Sequence, residues 1–293
     1  MQERPRGIKH FLSWVSYPIV ILTCVVVALM GTAAEWSRWQ IFFFPITISW
    51  AAVSFVEWLI PYTASWKPTW AENYRSDLGI FFANNLLLGA PALVLYITAY
   101  ISGIAAQYPI YALWPNHYPM WLQLILFLLA FEFVHYWYHR VAHEVFFVWR
   151  FHSVHHNPHR LYWLNATRFH YVDILMLPLL GNLPCVLMGG SQEVIVLGAV
   201  VSVCHGFWQH CNAKVHYGPL NYVVSSSELH RWHHSQEVKI ANHNYGSNLI
   251  VWDLLFGTWY LPDEKKFVAE NIGVKEMQPA GILAQMIMPI KMK

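Results

Sequence analysis

Charged residues are scarce in this chain. They make up 12% of its 293 residues, whereas hydrophobic residues make up 56%. Typical soluble domains contain roughly 25% charged residues, which they need to keep their surfaces in water. The scarcity therefore argues against an ordinary soluble protein. The net charge of +2, with neutral histidines, also gives no reason to expect a nucleic acid as partner.

Cysteines are equally few, and none of the four lies in a CxxC pattern. They are Cys24, Cys185, Cys204 and Cys211. All lie in or beside apolar runs, which is typical of small buried side chains and excludes a disulfide framework or a zinc knuckle. The sequence also has no glycine-rich nucleotide loop and no recognisable flavin, ferredoxin or cytochrome domain. Any redox chemistry would therefore depend on electrons from another protein.

Long apolar runs are what the chain does contain. Four of them reach the roughly 20 residues that a helix needs to cross a bilayer. We predict spans at 12–34, 39–61, 79–105 and 119–138. The first is too long for the apolar core of a signal peptide, which indicates an uncleaved helix.

A fifth apolar region, 171–209, contains Pro178, Pro184 and the pair Gly189-Gly190. These residues favour a hairpin of two short helices that enter and leave on the same side, with one long kinked span as the alternative. Of the eighteen Lys and Arg, only Arg38 falls in the loops 35–38 and 106–118. Those loops are therefore predicted to be external, and the N-terminus and most of the chain after residue 138 cytoplasmic.

These patterns predict an all-α fold: a multi-span membrane bundle with a cytoplasmic, histidine-rich helical cap. The predicted organisation is N-terminal transmembrane helices in 1–118, a second region in 119–262 and a C-terminal tail in 263–293.

Fifteen of the seventeen histidines fall between residues 135 and 243, in three helical patterns. Spacings of three or four residues place side chains on one helical face. The first pattern is Glu132, His135, His139 and His143. The second is His152, His155 and His156, on a helix that Asn157-Pro158 is expected to end. The third is His230, His233 and His234, on a helix that a capping-box pattern at Ser225–Glu228 is expected to start. Ionisable groups at a membrane face are costly, so this density indicates function.

Eight or nine histidines exceed the three or four ligands that one zinc ion takes, so the patterns favour two metal ions. Imidazole suits zinc, copper, iron and nickel alike, and the ligand type does not choose the metal. Glu132 and Glu144 are candidates to orient ligands by accepting their second N–H. His10, His117 and His159 lack such company and are expected to be ordinary surface residues.

The order HRxxH, HxxHH, HxxHH resembles the fatty acid hydroxylase/sterol desaturase superfamily. The motifs begin at His139, His152 and His230. Flanking matches are Glu132, Tyr136-Trp137, Asn244-Tyr245-Gly246 and the segment 252–258. The resemblance covers about residues 125–262 and implies that region 119–262 is the catalytic region.

The resemblance implies a di-iron oxygenase that uses O2 to hydroxylate a lipid, or to desaturate it. It also implies a separate electron donor (ferredoxin-, rubredoxin- or cytochrome b5-like) with its reductase. Two iron ions are expected, with zinc as a substitute on overexpression. The implied metal ligands are His139, His143, His152, His155, His156, His210, His230, His233 and His234.

Three further histidines are left open by the resemblance. His205 is a weaker ligand candidate, and His135 is expected to support a ligand, although a substrate channel or a tenth ligand is also open. His170 belongs to an Arg168-x-His170 element in which Tyr171 replaces the usual proline.

Other classes of function are disfavoured. A metal transporter would place ligands along a path at mid-membrane, and a bis-histidine haem protein would need ligand pairs facing each other across a bundle. These histidines instead mostly follow the last strong span. The substrate stays open among sterols, acyl chains, sphingolipids, ether lipids and carotenoids.

Overall fold

A computed structural model describes residues 7–70, 75–87, 89–275 and 281–292. The described residues form α-helices and short 3-10 turns, with isolated bridges but no strand. The helices are α1 (Ile8–Ala33), α2 (Arg38–Leu59), α3 (Arg75–Phe82), α4 (Ala90–Ala105), α5 (Met120–Glu144), α6 (Phe146–His156), α7 (Tyr171–Leu187), α8 (Gln192–Gln209), α9 (Ser227–His233), α10 (Val238–Ala241), α11 (Val251–Phe256) and α12 (Ile282–Lys291). The all-α prediction is confirmed.

Three of these helices, α1, α2 and α5, are long and apolar enough to cross a membrane. They correspond to three of the four predicted spans. Large apolar side chains such as Leu22, Phe55 and Trp58 remain exposed along α1 and α2, as expected of helices that face lipid. The chain is therefore a membrane protein.

The remaining predicted span, 79–105, is not one continuous helix. A π-helical turn, Ala83–Leu87, extends α3, and α4 then begins at an angle of 42° to it. The break falls at Gly89, whose φ of 61° lies in the left-handed region, and Pro91 stands at the start of α4. The left-handed backbone at Gly89 cannot continue a right-handed helix, and proline fits the first turn of a new one, which explains the interruption.

Region 171–209 forms the predicted hairpin. Both of its open ends lie at the histidine cluster, since Asp173 near the start of α7 contacts His152 and His210 follows the end of α8. The turn between the helices lies near the start of α5, where Asn116 donates to the carbonyl of Gly189. The glycine pair makes this turn, whereas the two prolines lie inside α7 and do not end it.

Helix α5 lies between the two arms of the hairpin. It packs against α7 on one side and α8 on the other, while α8 also packs on α1 and α2, and α7 on α4. Phe127 of α5 is buried against Gly198 of α8, and Phe131 against Gly181 of α7, so small residues allow close approach on both sides. This arrangement brings the histidine-bearing ends of α5, α6 and α8 together, and α9 packs against them.

Candidate metal centre

Nine histidines converge in two groups at this end of the bundle. Within each group the nearest ligand atoms all lie within 4.8 Å of one another. The five-histidine group is His139, His143, His152, His156 and His233; the four-histidine group is His155, His210, His230 and His234. All nine residues singled out in the sequence therefore come together, and all but the partly buried His143 are buried.

The two HxxHH motifs each contribute to both groups. Helix α6 directs His152 and His156 into the five-histidine group and His155 into the other. The motif at α9 does the reverse, with His233 in the five-histidine group, and with His230 and the C-cap residue His234 in the four-histidine group. Ser226 starts α9 by accepting from the Leu229 N–H at 3.1 Å. A helix begins just before these histidines, as predicted, but its N-cap is Ser226 and not Ser225, and Glu228 binds Asn221 instead of closing a capping box.

The Nε2 atoms within each group lie unusually close to one another. Nε2 of His139 is 2.9 Å from that of His152 and 3.1 Å from that of His233. In the four-histidine group, Nε2 of His210 is 3.2 Å from that of His155 and 2.9 Å from that of His230.

Partners of the opposite ring nitrogen fix the tautomer of five of these rings. Nδ1 of His139, His155, His210 and His233 faces a backbone carbonyl at 2.6–3.1 Å, and Nδ1 of His152 faces Asp173. Carbonyl and carboxylate oxygens only accept hydrogen bonds, so each Nδ1 carries the hydrogen. In a neutral ring, Nε2 is then a bare lone pair. Each close Nε2 contact among these five rings therefore brings two hydrogen-bond acceptors together.

Bare lone pairs about 3 Å apart repel one another unless a cation lies between them. Two nitrogens bound to one ion at about 2.1 Å and a right angle are separated by about 3 Å, as here. The described residues thus fit a centre of two metal ions, one in each group.

Burial also keeps six of these imidazoles neutral, as metal ligands must be. It lowers the pKa of His155, His156, His230 and His234 well below the usual value, and neighbouring imidazoles lower it further. Burial likewise lowers the pKa of His210 to about 4 and that of His233 to about 3.

The carboxylates expected to orient ligands have other partners. Glu132 accepts from the backbone N–H groups of Ser247 and Asn248, and Glu144 accepts from Arg140. Asp173, which the sequence reasoning missed, faces Nδ1 of His152 at 3.2 Å and is fully buried. The signal available in the sequence was one acidic residue near the start of the apolar region 171–209.

A second missed residue is Glu57, near the end of α2. Its Oε1 accepts from the backbone N–H groups of both Trp163 and Asn212, at 2.8 Å each. Asn212 lies two residues after His210. Glu57 therefore fixes the segment that carries this histidine.

The three histidines left open lie outside both groups. The His135 ring is 5.6 Å from that of His139, and its buried Nδ1 has no partner among the described residues. His205 donates to the carbonyl of Ser225 and accepts from Tyr17. His170 caps α7 and donates to the carbonyl of Met286 in α12.

Comparisons with known proteins cover the region that contains these histidines. The family model "fatty acid hydroxylase" matches residues 124–258. The chain is 34% identical over 245 residues to an ornithine lipid hydroxylase of Rhizobium tropici, a match that covers 83% of this chain and 73% of that one. It is 29% identical over 159 residues to human alkylglycerol monooxygenase, covering 53% of this chain and 34% of that one.

A methylsterol monooxygenase of Arabidopsis thaliana is 24% identical over 176 residues, covering 59% of this chain and 64% of its own. No solved structure matches the chain significantly. The extent of the match to the ornithine lipid hydroxylase, together with the family model, places the sequence: the chain belongs to the fatty acid hydroxylase family.

Proposed function

We propose that this chain is a membrane-bound di-iron oxygenase that uses O2 and externally supplied electrons to hydroxylate a lipid. The observation that carries the proposal is the convergence of nine imidazoles, several of them with bare Nε2 atoms facing one another, in two adjacent groups. The relatives support the same class of reaction, since they are named hydroxylases and monooxygenases of lipids.

The five-histidine group would hold one iron ion and the four-histidine group the other. Iron bound there would supply the activation of O2. Because imidazole also accepts zinc, we expect zinc to replace iron when the protein is overproduced.

The chain's own residues orient the ligands and exclude water. Backbone carbonyls of Tyr245, Arg168, Gly206 and His243 hold the Nδ1 hydrogens, which fixes the rings with Nε2 inward. Burial of the ligands keeps bulk water from the reacting atoms. The apolar helices give a lipid direct access from the bilayer to this end of the bundle.

The substrate class to test first is an ornithine-containing lipid. The relative named for that activity matches most of both chains, whereas the alkylglycerol monooxygenase matches about a third of its own length. Hydroxylation is favoured over desaturation because the ornithine lipid hydroxylase, the alkylglycerol monooxygenase and the methylsterol monooxygenase are named for oxygen insertion.

Electrons would come from a separate ferredoxin-, rubredoxin- or cytochrome b5-like protein with its reductase. The distribution of Lys and Arg supports a cytoplasmic position for the histidine cap, where such soluble donors are found. The compact burial of nine ligands at one end of the bundle disfavours a metal transporter, which needs sites along a path.

The proposal is tested by expressing the full chain in a bacterium that makes ornithine lipids and comparing its lipids by mass spectrometry. We expect a product heavier by one oxygen atom, absent with a His233→Ala variant. A product lighter by two hydrogens would instead identify a desaturase. The purified protein should carry about two metal ions per chain, and active protein with one metal ion or none would refute the dinuclear site.

A further inference from the structure

Asp173 lies in the first turn of α7 and is fully buried. One of its carboxylate oxygens accepts the O–H of Tyr138 at 2.8 Å, and the other lies 3.2 Å from Nδ1 of His152. Tyr138 and His152 come from α5 and α6. A single buried carboxylate therefore joins three helices next to the five-histidine group.

The carboxylate does not act as a cap of its own helix. An acidic residue in the first turn is often stabilised by the helix N-terminus. Here the side chain of His170 caps α7 by accepting from the Val172 N–H at 3.1 Å. The hydrogen bonds of Asp173 go to Tyr138 and His152 instead, so its role concerns the metal centre.

Among the described residues, Asp173 is the one carboxylate in hydrogen-bond contact with any of the nine histidines. The Nδ1 atoms of His155 and His210 in the four-histidine group face neutral backbone carbonyls. The Nδ1 atoms of His230 and His234 have no partner in the described part of the chain. The two groups therefore differ in charge and in how firmly their rings are held.

We propose that Asp173 is a positioning residue that makes the five-histidine group the tighter of the two metal sites. The inference rests on the proposed function, because it assumes that both groups bind metal. A carboxylate that accepts the Nδ1 hydrogen fixes the imidazole and makes its Nε2 a stronger donor. Its negative charge also offsets the charge of the ion in the five-histidine group.

Titration of the metal-depleted full chain with Co²⁺, followed by absorption spectroscopy, tests this directly and needs no substrate. We expect binding in two steps. His152→Ala should abolish the tighter step and His210→Ala the weaker one, which assigns the steps to the groups. Asp173→Asn should weaken the tighter step by about 10–100-fold and leave the other unchanged.

Asparagine is the informative replacement because it has the same size and its Oδ1 still accepts from His152, whereas its amide group donates to the Tyr138 oxygen instead of accepting from it. The change at His152 is therefore the loss of the negative charge. Glu132→Gln is the matched control. It neutralises another buried carboxylate, which contacts Ser247 and Asn248 but no histidine. We expect it to lower thermal stability and to preserve the ratio of the two Co²⁺ affinities.

Equal weakening of both steps by Asp173→Asn, or no weakening, would overturn the proposal. Uptake of fewer than two Co²⁺ ions by the parent chain would contradict the dinuclear function itself. The two failures are therefore distinguishable in one experiment.

Discussion

The backbone carbonyl of Arg168 accepts a hydrogen bond from Nδ1 of His155 at 3.1 Å. The side chain of the same arginine is buried, donates from Nε to the carbonyl of Val154 at 3.2 Å, and pairs with Asp77 and Gln285. A ligand of the proposed four-histidine site is thus held in place by an arginine that forms a buried ion pair with α3 and a hydrogen bond with α12.

Replacement of Arg168 by leucine should therefore destabilise the protein and weaken the four-histidine site. It leaves Asp77 buried without its cation, which costs about 3–5 kcal/mol. Thermal unfolding in detergent and elemental analysis measure the two effects. Arg38→Leu is the control, since its pair with Glu193 is exposed and contributes about 0–1 kcal/mol. Similar melting temperatures for the two variants would contradict the prediction.

His155→Ala and His159→Ala should separate a ligand from a bystander. His155 is buried in the four-histidine group, whereas His159 is exposed and contacts Gln236. We expect the first variant to lose metal and activity together and the second to resemble the parent. Loss of metal in His159→Ala with retention in His155→Ala would show that the second motif is assigned wrongly.

His135→Ala should keep both metal ions but react more slowly. The ring lies outside both groups, although it touches His139 edge-on. Loss of a residue that supports a metal ligand typically lowers activity by about 10–100-fold. Metal content and turnover must be measured on the same sample, because a fall to one metal ion would identify His135 as a tenth ligand.

Gly189→Ala should destabilise the hairpin of α7 and α8. The glycine has φ of 85°, and an added Cβ would lie 1.9 Å from the carbonyl oxygen of Tyr111. The strain alone costs about 1–3 kcal/mol. Gly103→Ala in α4 is the matched control, because no atom lies within 4 Å of its added Cβ, and alanine favours helix. Thermal unfolding should therefore order the proteins as Gly189→Ala below the parent and Gly103→Ala at or above it.

Membrane topology provides a test that is independent of chemistry. Reporter tags at residues 1 and 293 should be cytoplasmic, and a tag near residue 116 should be external. The structure sharpens this expectation because both ends of the hairpin lie at the histidine cluster. Tags at residues 116 and 293 that report the same side would exclude the proposed orientation.

The sequence predicted the histidine cluster better than its surroundings. Spacing identifies His152, His155 and His156 as neighbours on a helix, because helical geometry is local. Their division between two groups depends on how α6 packs against α5, α8 and α9. Sequence spacing does not determine this packing. The role of Asp173 was missed for the same reason, since its partners are 21 and 35 residues away.

The membrane helices show the same limit. Composition identified α1, α2 and α5, since length and apolarity decide whether a helix can span a bilayer. The pair α3 and α4 is together apolar enough to form one bent span, but composition did not reveal the 42° bend, because the bend depends on the backbone at Gly89. Pro178 and Pro184, which were expected to interrupt the apolar region, lie within α7.

The two hydrogen bonds received by Glu57 have a consequence for protein engineering. Trp163 and Asn212 lie in the region that the family model matches, but their shared acceptor belongs to α2, outside it. A chimera that grafts residues 124–258 onto another enzyme's N-terminal helices would leave both N–H groups without an acceptor unless the graft supplies a carboxylate at this depth. When regions of this chain are exchanged with those of a homologue, α2 and the histidine region should therefore be transferred together.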